Sequence, residues 1–184
     1  MISNSRGSAD DSAFATLRRF YAGLTEYTFE SRIGLADPSL IDYISELLTR
    51  FTFYDEIYRV RKSDGRPIEQ VVDMLGEAET RPSGERREIH RHIGDFTLFW
   101  AGMYPEALRR MQAASRKDMF LDYPALGKRS YKLASRIADV EEPPENGILE
   151  RLSHDYDLCL RGLTEVRKEW SRRDEETPPG LFGG

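Results

Sequence analysis

At 184 residues, with 39% hydrophobic and 32% charged residues, the chain is long enough for one domain with a sizeable core, which excludes wholesale disorder. Its net charge of −5 arises from 27 basic and 32 acidic residues interspersed along the chain, and gives no global attraction to nucleic acid or to an anionic membrane. The single cysteine, Cys159, excludes an intrachain disulfide, and the longest apolar stretch, residues 96–104, is too short to span a bilayer.

Residues 1–9 are small and polar and read as a disordered lead-in with no apolar signal segment, so the cytoplasm is the expected compartment. Asp10, Asp11 and Ser12 suit the start of a helix, and Phe14, Leu17, Tyr21, Leu24 and Thr28 follow at spacings of three and four. Asp37-Pro38 caps and opens a second helix that buries Ile41, Ile44, Leu48 and Phe51. The helical spacing of Tyr54, Ile57, Tyr58 and Arg61 favours its continuation, with a short hairpin before the Ser63-Asp64-Gly65 turn as the rival. Pro67 is expected to open a third helix with Ile68, Val71, Val72 and Leu75.

The strongest pattern lies in a fourth helix, about 85–104, where Ile89, Ile93, Phe96, Trp100 and Met103 form one stripe over four turns. Leu98, Phe99 and Ala101 make its second half apolar nearly all round, which marks the central helix of a bundle. Gly94 and Ala101 would let a neighbour approach closely. Pro105 opens the next helix. Beyond the polar run 115–118, Pro124 opens or kinks another, with Gly127, Tyr131, Ala134 and Ile137 as a small-residue stripe. Residues 141–147, with Pro143-Pro144, form a break. One last helix carries Ile148, Leu152, Tyr156, Cys159, Leu163, Val166 and Trp170, and residues 174–184 read as a disordered tail. The expected fold is all-α: a compact single domain, 10–173, of about seven helices around the central one.

No phosphate loop, dinucleotide fingerprint, zinc spacing or Gly-x-Ser-x-Gly elbow occurs, so no cofactor or metal is expected. The one constellation of interest is His90, His92 and Asp95 on the central helix, with Lys128, Arg129 and Tyr131 as partners from the Gly127 helix. A carboxylate bordering a ring-lined core must find partners or change protonation state. The cluster reads either as a ligand pocket or, more plainly, as a buried polar cross-link. Histidines two apart point about 200° from each other and cannot readily share a metal. His154, beside Asp155 and Asp157, reads as surface, and Cys159 as a small core residue. Arg86, Arg87, Arg91, Arg109, Arg110, Arg116 and Lys117 are diluted by acidic neighbours and read as a solvated face.

The segment His90-Arg91-His92-Ile93-Gly94-Asp95-Phe96-Thr97-Leu98-Phe99-Trp100-Ala101-Gly102-Met103-Tyr104-Pro105-Glu106, then Asp122-Tyr123 and Gly127-Lys128-Arg129-Ser130-Tyr131, resemble an uncharacterised all-helical family of bacterial proteins. That family carries a Gly-Asp-aromatic-Pro pattern and then a Gly-Lys-x-x-Tyr helix. The resemblance implies a helical fold and bacterial origin, and carries no activity and no catalytic residue. The leading functional expectation is a non-catalytic interaction or scaffold protein, binding itself as a homodimer or another protein, with no nucleic acid and no membrane. A binder of a small apolar or aromatic ligand between helices comes second, and an enzyme using the His92/Asp95 region third.

Overall fold

A computed structural model describes residues 5–137 and 146–176. The tail expected at 174–184 therefore lies outside the described residues from 177 onward. So do residues 1–4 of the lead-in and most of the Pro143-Pro144 break. Among the described residues the fold is all-α, with no strand and one isolated antiparallel bridge, Arg61 to Pro67. Among these residues no helix is long and apolar enough to cross a membrane.

α1 spans Ser5–Thr28, so it starts before the expected cap, and it widens into a π-helical turn over Phe29–Ile33. Gly34, at φ +75°, closes that turn by donating its N–H to the Phe29 carbonyl. α2, Pro38–Arg50, opens as expected: the Asp37 carboxylate accepts from the Leu40 N–H at 3.2 Å, and Pro38 takes the first turn. Its apolar face, Ile41, Ile44 and Leu48, is buried, and so is Phe51 beyond its end.

The helix favoured through residue 61 does not form. α3 is a single turn, Tyr54–Ile57, after which the chain makes the rival hairpin. Ile68 N–H donates to the Val60 carbonyl at 2.8 Å, and Lys62 N–H to that of Arg66 at 2.9 Å, around Gly65 at φ +82°. A helix would have left Val60 and Ile68 without a common interior, whereas the hairpin buries both. Pro67 therefore belongs to the hairpin, and α4 starts later, at Val71–Thr80. Its N-terminus is capped from a distance. Asp118 accepts from the Val71 N–H at 2.8 Å and the Val72 N–H at 3.1 Å, and also from the Tyr123 hydroxyl at 2.8 Å.

α5, Ser83–Met103, is the enclosed central helix, with Ile89, Ile93, Phe96, Leu98 and Met103 buried and Trp100 half-buried. α6, Pro105–Ala114, and α7, Tyr123–Arg136, follow, the latter capped by Asp122 through the Ala125 N–H at 3.0 Å. The single last helix of the sequence reading is two, α8 at Asn146–His154 and α9 at Tyr156–Glu176. Hydrogen bonds four residues apart continue through the joint, from Asp155 N–H to Arg151 and from Cys159 N–H to Asp155. Leu152, Tyr156, Cys159, Leu163 and Val166 thus stay buried on both sides of it.

Close approach at glycine sets how α5 meets its neighbours. A Cβ on Gly94 would lie 2.6 Å from the Tyr131 ring of α7, as the small-residue reading expects. On the α9 side the close contact is at Gly102, against Leu163 Cβ, and not at Ala101. A Cβ on Gly127 would lie 2.1 Å from Thr97 Oγ1 and 2.5 Å from the Tyr156 hydroxyl, which donates to that oxygen. Gly127→Ala is therefore expected to cost about 1–3 kcal/mol in urea unfolding through forced displacement of packed atoms. Gly76→Ala, in α4 with nothing within 4 Å of the new methyl, is expected to stabilise by about 0.5–1 kcal/mol.

Candidate functional site

Asp95 is the centre of the buried polar cluster, with 1% of its surface exposed. Two other helices supply its partners. Tyr43 and Arg50 stand seven apart on α2, two turns along one face. Tyr131 comes from α7. Both phenols donate to Asp95 Oδ1 at 2.7 Å, and Arg50 Nη2 donates to Oδ2 at 3.1 Å. Arg91, one turn before Asp95 on α5, donates from Nε to the Tyr43 hydroxyl at 3.2 Å and stacks its guanidinium over that ring. Gly94 makes this possible, since any side chain there would hold the Tyr131 ring away from α5.

The electrostatics follow from this enclosure. Burial pushes the Asp95 carboxyl up, but the Arg50 and Arg91 guanidiniums and the two phenolic hydrogen bonds together bring it below its ordinary value. The phenols move the other way. Burial first, then the charge of Asp95, raises both Tyr43 and Tyr131, so they remain neutral donors. The result is an ionised carboxylate fixed by neutral phenols and capped by cations, a poor general base.

His92 lies beside this cluster without bonding to Asp95. Its Nε2 is 3.0 Å from the Ile57 carbonyl, which fixes the tautomer that carries hydrogen on Nε2, and its ring packs near Phe51 and Phe96. Burial lowers its pKa to about 4 against the pull of Asp95, so the ring is neutral at pH 7. His90 is buried away from Asp95. Burial lowers its pKa too, with Glu79, Arg86 and Arg129 as the charges acting on it.

Of the six residues expected together, Asp95 and Tyr131 touch, His92 is adjacent, and the other three are elsewhere. Lys128 pairs with Asp157 at 3.0 Å, and Arg129 is exposed. Tyr43 and Arg50 were missed because they sit more than forty residues away. Arg91 was legible as a neighbour four positions before Asp95.

The remaining reactive groups are muted. Burial pushes the Cys159 thiol up to about 12, which leaves no thiolate at neutral pH. His154 is exposed, 3.9 Å from Asp155. Among the described residues no cluster of three or more His, Cys, Asp or Glu is placed to hold a metal. Arg87 and Arg91 of the central helix both pair with Glu88, as does Arg59, while Arg86 donates to the Arg81 carbonyl and Lys117 pairs with Asp73. Comparison of the chain with family models, curated proteins and solved structures returns no match.

The surface holds apolar groups as well. Every residue from 11 to 20 of α1 is exposed or half-buried, yet this stretch carries Phe14, Leu17 and Phe20. The Phe14 ring lies 6.1 Å from Phe53, itself 45% exposed, and Tyr54 beside it is 60% exposed. Phe20 leads inward to Trp170, 6.1 Å away, at the edge of a recess between α1, α2, α5 and α9.

Proposed function

We propose that the protein is a non-catalytic helical interaction protein that pairs with a second copy of itself through the first half of α1. The observation that carries this reading is the uncovered stretch 11–20, helical over three turns with no buried residue, although Phe14 and Phe20 are 42% and 39% exposed. A helix of this length gains little from its own hydrogen bonds, and in proteins it is stabilised by packing of an apolar face. Aromatic side chains of this kind, flanked by Phe53 and Tyr54, form the core of protein interfaces.

A second copy suits the face because its charges are self-complementary. Asp11, Phe14 and Arg18 lie on one stripe of α1, with opposite charges on either side of the ring. Two such helices, antiparallel about a two-fold axis beside Phe14, would set each Asp11 opposite Arg18 of the partner subunit. Arg18 is available for this, since its pairing with Glu46 is an exposed one of little strength. The locked state of Asp95, His92 and Cys159 supports a role without catalysis.

The test is sedimentation equilibrium of the wild type beside Phe14→Glu and Phe20→Glu, with circular dichroism as the check on folding. A concentration-dependent dimer that the glutamates convert to a folded monomer is the expected result. A wild type that stays monomeric at the highest attainable concentration overturns the proposal.

A further inference from the structure

The recess behind Phe20 has a chemistry of its own. Its volume is about 290 Å³, and six rings wall it: Tyr21, Phe51, Phe99, Trp100, Tyr104 and Trp170. The other lining residues are Leu48, Thr52, Ile57 and Met103, so no charged side chain faces it. Rings of this size ordinarily interdigitate until no such space is left. Here they meet edge to face instead. Tyr21 and Trp170 stand 5.8 Å apart at 82°, Phe99 and Trp100 5.5 Å at 78°, and Phe99 and Tyr104 5.5 Å at 63°. The space they leave opens to solvent past Thr52, which is exposed.

We infer that this recess is a binding site for a small uncharged aromatic molecule of one or two rings bearing a hydroxyl or N–H group. A further ring can continue the edge-to-face pattern and gain both buried area and quadrupole alignment. Charge decides against the alternatives. An anion would leave water for a lining with no cation, at a cost nothing repays. A cation would find ring faces, but the Arg50 guanidinium already stands 5.9 Å from the Phe51 centroid, and no carboxylate lines the space. The polar part of the ligand has a place to go. Tyr21, Thr52 and Tyr104 bring three hydroxyl-bearing side chains to a lining that is otherwise aromatic and aliphatic. Thr52 Oγ1 already donates to the Leu48 carbonyl at 3.1 Å, which leaves its lone pairs free to accept.

The site borders the proposed pairing face but does not depend on it, because every lining residue comes from one chain. The experiment is isothermal titration calorimetry of the full chain with 2-naphthol, 2-naphthoate and benzyltrimethylammonium. It is repeated on Thr52→Phe, which fills the mouth from an exposed position, and on Phe14→Glu. Saturable one-to-one binding of 2-naphthol is expected, weakened at least ~10-fold by Thr52→Phe with an unchanged circular dichroism spectrum, and retained in Phe14→Glu. Trp100 and Trp170, the two tryptophans of the chain, give a second readout by saturable change in their emission. No saturable binding of 2-naphthol, equal affinity for either charged probe, or an unaffected Thr52→Phe variant would each overturn the assignment. A monomer that binds 2-naphthol defeats only the self-association, and a dimer that does not bind it defeats only the recess.

Discussion

Asp95→Asn is expected to remove about 3–5 kcal/mol of unfolding free energy at pH 7, among the largest losses available to a single substitution here. The reason is the asymmetry of a buried ion pair. The folded chain already bears the cost of taking the carboxylate from water, and Arg50, Tyr43 and Tyr131 repay it through hydrogen bonds to both oxygens. An amide keeps the shape but not the charge. Arg50 then lacks its counter-charge, and the amide N–H2 turns donors toward groups that are themselves donors. Tyr131→Phe should cost less, about 1.5–3 kcal/mol, because it removes one hydrogen bond to a charged group and leaves the ion pair standing. Urea unfolding measures both. A loss below about 0.5 kcal/mol for Asp95→Asn would sink the cross-link account and return attention to the enzyme reading, in which this residue spares folding.

His92 makes stability depend on pH in a window above the one where Asp95 titrates. The unfolded ring has a pKa near 6.5, and in the folded protein burial lowers it to about 4. Above pH 6.5 the ring is neutral in both states and its contribution to stability is fully present. As pH falls from 6.5 to 4 the unfolded chain takes up a proton that the folded chain refuses, so stability declines. The decline amounts to about 3 kcal/mol and levels off below pH 4. His90 adds to it in the same direction, since burial lowers its pKa as well. Asp95 acts in the same direction over a lower window, losing its contribution as pH falls below the ordinary carboxylate range. His92→Gln can still donate to the Ile57 carbonyl but cannot titrate, so its unfolding free energy should be flatter between pH 4 and 6.5. Urea titrations across that range decide the matter. Parallel profiles for the two proteins would mean that His92 is not the group responsible.

Both predictions concern residues on the same two turns of α5, and they show how legibility divided. His92 and Asp95 stood out because polar side chains interrupted an apolar stripe. That interruption says that partners exist, and the choice of Tyr131 followed from its place on a small-residue helix. Lys128 and Arg129 were equally near in sequence, yet they lie on the outward side of α7, where Lys128 meets Asp157. One residue of register separates a core position from a surface one on a helix. Asp118 illustrates the harder case. It sits in a polar run that reads as a plain connection, and only the folded chain carries it to the start of α4, forty-seven residues back.

Local chemistry alone was enough for the all-α class, the helix starts at Asp37-Pro38 and Pro124, and the enclosed helix around residues 89–103. These depend on caps, turns and a period of 3.6, all of which operate between residues a few positions apart. Tertiary packing was needed to choose the hairpin at Arg61 to Pro67 over a helix, to split the last helix at Asp155, and to bring Tyr43 and Arg50 to Asp95. In each instance the competing local conformations lie close in energy. The outcome then belongs to burial and charge pairing between distant segments, which sequence spacing does not encode.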